Sequence, residues 1–160
     1  MDAFKLINLN NHVCFALYTA SQAFTRVYSE RLSEVGLSYE QYLVMLILWQ
    51  QQQQSVEAIS DRLNLDLKIL APALSGLEDA GLISREHSYQ HNQGVILSLT
   101  TLGNQIQYKT SQIQQKMACE TGLTQLEHVE LREKLDKLLD NFKTRVQRTD
   151  AWVKNLPADL

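Results

Sequence analysis

Apolar residues recur along this chain at the three- and four-residue intervals of a helix almost from its start. Between Asn11 and about Glu34 the stripe is Val13, Leu17, Ala20, Phe24 and Val27, and Gly36 supplies a stop. Ser38 can cap a second helix through Tyr42, Val44, Met45, Leu48 and Trp49, which is apolar nearly all round and therefore expected to be buried. The five glutamines from Gln50 to Gln54 predict a polar helix end and a loop. Ser55 then caps a short helix carrying Val56, Ile59 and Leu63, and Asp66 caps a longer one with Ile69, Leu70, Ala73, Leu74 and Leu77. Pro72 inside that helix removes a backbone donor and should bend its first turns, and Gly81 ends it. Two strand-like runs follow, Leu82 to Glu86 and Val95 to Leu99, joined by the polar stretch Ser88 to Gly94 as a hairpin with a long tip. Thr100 caps a helix running towards Cys119, and the last helix shows a stripe of Leu135, Leu138, Leu139, Phe142 and Val146.

This order predicts a mainly α chain with a small β-hairpin wing, a winged helix-turn-helix at 37–100 between helical flanks at 1–36 and 101–160. The terminal helices carry more apolar surface than a small winged domain can cover, so they are expected to pair with a second copy as a homodimer. At 160 residues, 44% of them apolar and 21% charged, the chain can bury a core and is not disordered. Its longest apolar run, Tyr42 to Trp49, is eight residues, against about 20 for a membrane span. No secretory signal is visible near Met1, so the expected location is the cytoplasm, with no membrane contact.

Charge changes the picture more than composition does. With 15 Lys and Arg against 18 Asp and Glu, the net charge of -3 excludes a simple polycation but not a local basic patch. Cys14 and Cys119 lie far apart without a CxxC pair and are expected to be free thiols. Four scattered His give no metal-ligand spacing, and no phosphate loop, nucleophile–base motif or spaced carboxylate pair suggests an enzyme.

Several segments resemble one family. Cys14-Phe15-Ala16-Leu17-Tyr18, the run Leu37 to Met45 with its Tyr39-Glu40-Gln41-Tyr42-Leu43 motif, Leu65-Asp66, Ala71-Pro72, Leu77 to Ile83 and Val95 to Thr100 are similar to MarR-type transcriptional regulators. Within these they look most like the organic-hydroperoxide-sensing OhrR branch. The resemblance covers roughly Leu9 to Gly103 well and the C-terminal helices only in pattern and length. No cofactor and no metal is expected. The resemblance implies that Cys14 is the peroxide-reactive thiol, that Tyr28 and Tyr39, at +14 and +25, hydrogen-bond that thiol, and that Cys119 looks like the resolving cysteine supplied by a partner subunit. The chemistry asks for a stabilised thiolate and an apolar pocket for an organic hydroperoxide, which Phe15, Leu17, Tyr18 and Trp49 are available to build.

The face that would read DNA departs from the pattern. Where the family has Leu-Asp-Ser-Gly-Thr-Leu-Thr-Pro, this chain reads Leu65 to Pro72 with Leu67, Ile69 and Ala71 in place of small polar residues. Ser75-Gly76 stand for the usual Lys-Arg, and His91-Asn92-Gln93 for the wing's Asp-x-Arg. From Ser55 to Thr100, Arg62, Lys68 and Arg85 face Glu57, Asp61, Asp66, Glu78, Asp79 and Glu86, a balance of -3. Double-stranded DNA should therefore be bound weakly, and Lys68, Ser75, Arg85, His91 and Gln93 are the remaining contact candidates. The expected function is a dimeric, thiol-based redox-sensing transcriptional regulator controlled by oxidation of Cys14. The alternative is a MarR-like protein that has lost operator binding and acts through a protein partner, with Leu67 and Ile69 as the interaction patch.

Overall fold

Six α-helices and a three-stranded antiparallel sheet make up the described residues, 9–87 and 94–154, of the computed structural model. Helix α1 spans Val13–Leu32 and ends in a 3-10 turn, Ser33–Val35, that Gly36 closes with a left-handed φ of 72°. Helix α2 is Tyr39–Gln51. Its start is a capping box: the Gln41 N–H donates to Ser38 Oγ at 3.2 Å and the Ser38 N–H donates to Gln41 Oε1 at 2.8 Å. Helices α3 (Val56–Leu63) and α4 (Leu67–Asp79) form the helix-turn-helix, capped by Ser55 and Asp66. Asn64, at φ 51°, turns the chain between them, and α4 continues through Pro72.

The sheet corrects one expectation. The glutamine tract does not leave α2 simply as a loop: Gln53–Ser55 form a strand, β1, so the sheet has three strands rather than two. Strands β2 (Ile83–His87) and β3 (Val95–Leu99) make the hairpin, and β3 lies in the middle, in the order β1-β3-β2. Gln53 pairs with Ser98 and Ser55 with Ile96 on one side, while Ile83 pairs with Leu99 and His87 with Val95 on the other. Leu97 of β3 is fully buried. A strand so placed has two rows of backbone donors and acceptors to satisfy, and β1 meets the second row whatever its side chains are.

The chain divides into two compact units, Met1–Met117 and Ala118–Leu160. The core of the first gathers α2 (Val44, Met45, Leu48), α4 (Leu70, Leu74, Leu77) and Leu97, with Leu32, Ile59, Ile113 and Met117. The joint between the hairpin and α5 (Thr101–Glu120) is tight. Thr100 Oγ donates to the Gly81 carbonyl at 2.7 Å and accepts from the Gly103 N–H at 3.0 Å. A side chain at Gly103 would stand 2.1 Å from the Leu82 carbonyl oxygen, so only glycine allows this approach. In the second unit, α6 (Gln125–Lys154) starts from a second capping box, in which Thr124 Oγ and N–H both donate to Glu127. On α6, Leu135 and Leu138 are half-buried and Leu139 and Phe142 exposed, while the Val146 side chain lies outside the described residues. Among the described residues no helix is long and apolar enough to cross a membrane.

Candidate thiol site and nucleic-acid face

Cys14 occupies the second position of α1, and Cys119 the second-last position of α5; both are free, exposed thiols. Phe15, half-buried, and Tyr18, exposed, share the first turns of α1 with Cys14. Tyr28 sits fourteen residues further along the same uninterrupted helix, about 21 Å from Cys14 at 1.5 Å per residue. The two nevertheless face much the same way, because Cys14, Ser21 and Tyr28 repeat every seven residues and the fourteen between Cys14 and Tyr28 fall about 40° short of four full turns.

At the far end of α1 the aromatic rings do assemble. Tyr28 stacks on Phe24 at 5.7 Å and on Tyr42 at 5.6 Å, and meets Tyr39 at 5.5 Å with the planes at 53°. The geometry follows from the cap at Ser38, which starts α2 so that Tyr39 and Tyr42, one turn apart, both face α1. Burial holds all three phenols in their protonated form, above the ordinary value of 10, and each neighbouring ring that could ionise adds to the effect for Tyr28 and Tyr42. Contact between the Tyr28 and Tyr42 side chains adds to the rise at Tyr42 and partly offsets it at Tyr28. Tyr42 belongs to this cluster as fully as Tyr28 and Tyr39 do. Sequence reasoning placed it in the core on apolar pattern alone; its i, i+3 spacing from Tyr39 was the available signal.

Trp49 is elsewhere. It lies ten residues, about 15 Å, along α2 from Tyr39. Its indole N–H donates to the Gly103 carbonyl at 2.9 Å, and it borders a cleft of about 180 Å³ between α2 and α5 with Tyr42, Leu46 and Thr110. Within one chain, then, Tyr28 and Tyr39 come together, while Cys14, Phe15 and Tyr18 stand at the other end of α1 and Trp49 further along α2.

The second surface is the head of α4. Leu67 (46%) and Ile69 (57%) are exposed there, beside exposed Lys68, Ala71 and Pro72, and Ser75 follows two turns on. Gly76 is half-buried: the Gln41 amide crosses it to donate to the Ala73 carbonyl, and a side chain at 76 would strike that amide. A side chain at 76 would therefore have to displace the flexible Gln41 amide from this contact. Arg85 on β2 is largely covered, its Nε 2.7 Å from Glu78 Oε2 but off the line of a good hydrogen bond, so the contact is one of charge. A guanidinium NH₂ group donates to Ser75 Oγ at 3.4 Å. His91 and Gln93 lie outside the described residues. Among the described residues no cluster of His, Cys, Asp and Glu could hold a metal ion.

Comparison with known proteins adds the following. The MarR family profile matches residues 37–90. Over 148 residues the chain is 34% identical to the HTH-type transcriptional regulator TtmR of Methylorubrum extorquens (strain PA1), a match spanning 92% of this chain and 76% of that one. It is also 34% identical over 112 residues to the organic hydroperoxide resistance transcriptional regulator of Bacillus subtilis (strain 168), spanning 70% and 76%. Among solved structures, reduced AbfR bound to DNA, a protein of Staphylococcus epidermidis, superposes with a TM-score of 0.72 at 29% identity over 88% of this chain and 99% of that one. The same protein with its disulfide formed superposes with a TM-score of 0.60.

Proposed function

Since this chain belongs to the MarR family of transcriptional regulators, we propose that it is a homodimeric, thiol-controlled regulator whose hold on DNA is set by oxidation of Cys14. One observation carries the reading. Cys14 and Tyr28, which carries Tyr39 of α2 against it, lie on one side of α1 at opposite ends, about 21 Å apart, so they can meet only between two chains. Two α1 helices crossing antiparallel at Ser21, the midpoint, bring each Cys14 beside the other chain's Tyr28. Ser21 is small enough for a close crossing, and exposed Val13, Tyr18 and Phe24 are the apolar surface such a crossing covers.

The chemistry then follows from the groups present. The Cys14 thiolate attacks the outer oxygen of an organic hydroperoxide, the O–O bond breaks, and the alkoxide leaves and takes a proton to become the alcohol. The sulfur is oxidised to a sulfenic acid by the two electrons the peroxide accepts. The Cys119 thiolate of a second chain attacks that sulfur, the hydroxyl leaves as water with a proton, and a disulfide remains. Phenols that stay protonated are suited to donate to the thiolate, and Phe15, Leu17 and Tyr18 line its approach with apolar surface. AbfR, with the same fold, exists both reduced on DNA and with a disulfide formed. On DNA, α4 lies in the major groove with Lys68 and Ser75 facing the bases.

Cumene hydroperoxide should convert the protein to a disulfide-linked dimer on a non-reducing gel. Cys14→Ser abolishes it, and Cys119→Ser leaves a sulfenic acid that dimedone traps at Cys14. Normal crosslinking by Cys14→Ser sinks the reading. A second reading rests on exposed Leu67 and Ile69, apolar groups that offer no hydrogen bond to a base edge: the dimer acts through a protein partner seated on α4. Binding of the reduced protein to a duplex library across a salt series separates the two.

A further inference from the structure

We propose that Arg85 is a positioning residue of the DNA-reading face: by donating to Ser75 Oγ, it leaves the Ser75 hydroxyl proton to be given to a hydrogen-bond acceptor on DNA. The inference rests on the reading above, in which α4 faces the bases with Ser75.

A hydroxyl in the middle of a helix ordinarily gives its proton back to the carbonyl one turn earlier. Ser29 on α1, Thr110 on α5 and Thr144 on α6 do so, at 2.7, 2.8 and 2.9 Å. Ser75 on α4 differs: among the described residues its hydroxyl is bonded only by Arg85, through a guanidinium NH₂ group 3.4 Å away. A guanidinium has donors and no acceptor, so Ser75 must accept, and its own proton stays uncommitted. The strand explains why the two meet. Arg85 lies two residues from buried Ile83 on β2, so its stem follows the inward face of the sheet while its head reaches α4. There it finds Ser75 and Glu78, three residues apart on one face of the helix. Glu78 Oε2, 2.7 Å from Arg85 Nε, holds the guanidinium and offsets its charge. Arg85 is therefore a fixed donor to Ser75 rather than a cation available to phosphates. Ser75 itself is exposed, on the same helix as exposed Lys68 and Ala71. The acceptor that suits such a directed hydroxyl is a purine N7 in the major groove, and a phosphate oxygen is the other source of a lone pair on DNA.

The test is a cycle of four reduced proteins: the parent, Ser75→Ala, Arg85→Met and the double variant. Each is titrated by fluorescence anisotropy, at low salt and across a salt series, against the tightest duplex that the parent selects from a randomised library. Ser75→Ala and Arg85→Met should each weaken binding about 3- to 10-fold, the range of one neutral hydrogen bond, with the parent's salt slope. The double variant should bind no more weakly than either single one, because Arg85 acts only through Ser75. The same duplex is then scanned with single 7-deazapurines and single methylphosphonates. At one site the parent should lose affinity while both single variants are indifferent; a 7-deazapurine there places the acceptor on a base, and a methylphosphonate places it on the backbone. Unchanged thermal midpoints identify variants that keep the fold, and Ser75→Ala, at an exposed position, suffices alone: parent-like binding by it overturns the proposal. Losses that add in the double variant, or a shallower salt slope for Arg85→Met, also overturn it and leave the DNA reading standing. So does a scan in which no site separates the parent from the variants. Failure of the parent to bind any library duplex at low salt removes the DNA reading itself, and this inference with it.

Discussion

Replacing Gly103 by alanine should destabilise the first unit measurably, although helix propensity alone favours the change. Gly103 lies in the first turn of α5, where alanine is worth about 1 kcal/mol more than glycine. Against this, the new Cβ would be placed 2.1 Å from the Leu82 carbonyl oxygen and 3.1 Å from a Leu99 methyl. The first of these is backbone, already accepting from the Thr100 N–H, and cannot rotate aside. Forcing a methyl into such packing costs about 1–3 kcal/mol. Lifting α5 also draws the Gly103 carbonyl away from the Trp49 indole N–H, 2.9 Å away, at about 1–3 kcal/mol for a partly buried donor left unmatched. The balance is about 1–5 kcal/mol, which for a chain of this length corresponds to roughly 2–20 °C in melting midpoint. Thermal melts followed at 222 nm and by tryptophan fluorescence read this directly. Gly122→Ala is the control: with φ at 68° and nothing within 4 Å, it carries backbone strain without crowding and should cost only about 1–2 kcal/mol. A Gly103→Ala midpoint equal to or above the parent's would refute the reasoning, since it would mean that α5 does not depend on this close approach.

The DNA face gives a second prediction: the unmodified protein binds family-type operators weakly near physiological salt, with a shallow salt slope. Leu67→Ser, Ile69→Thr, Ala71→Thr and Gln93→Arg together should tighten binding at least tenfold in a fluorescence-anisotropy titration, at about 1–3 kcal/mol per good contact; nanomolar binding by the parent contradicts it. The phenol cluster gives a third. Tyr28, Tyr39 and Tyr42 are all raised above 10 when folded, so the stability they contribute is complete below pH 10 and lost as pH climbs through their folded values. Urea midpoints should hold up to about pH 10 and fall above it, and Tyr42→Phe should reduce that fall. Light scattering at micromolar concentration supplies a fourth, giving twice the mass of one chain; a stable folded monomer would count against the thiol reading.

Much of the framework was legible because it is written locally. Ser38 with Gln41, Ser55 and Asp66 cap the helices their spacing announced, and Gly36 and Gly81 turn the chain where the periodicity stops. Strand β1 was not legible, since Gln53 and Gln54 have no strand preference of their own and are strand only because Leu97 and its neighbours lie alongside. The same holds for Arg85. Its candidacy for DNA came from charge alone, and the turn that carries Glu78 back against it is a tertiary event. Gly76 and Gly103 read as a missing side chain and as nothing in particular, yet each marks a close approach between elements distant in sequence. For the site, the residue types were legible, while the aromatic neighbours that α2 brings to Tyr28 were not. Fourteen residues of unbroken helix already implied that Cys14 and Tyr28 could not touch within one chain.

That same length of helix has a consequence for what the cell would measure. Under the proposed thiol chemistry, Cys14 at one end of a rigid rod and Tyr28 at the other would leave a lone polypeptide with only two disconnected halves of a detector. Complete detectors then appear in proportion to the associated fraction, which rises with the concentration of the protein itself. Dilution would blunt the response to oxidant before it altered any residue, and a rise in expression would restore it. If the proposed function holds, the signal would be the product of two quantities, oxidant and protein abundance, and neither alone would suffice to trigger it.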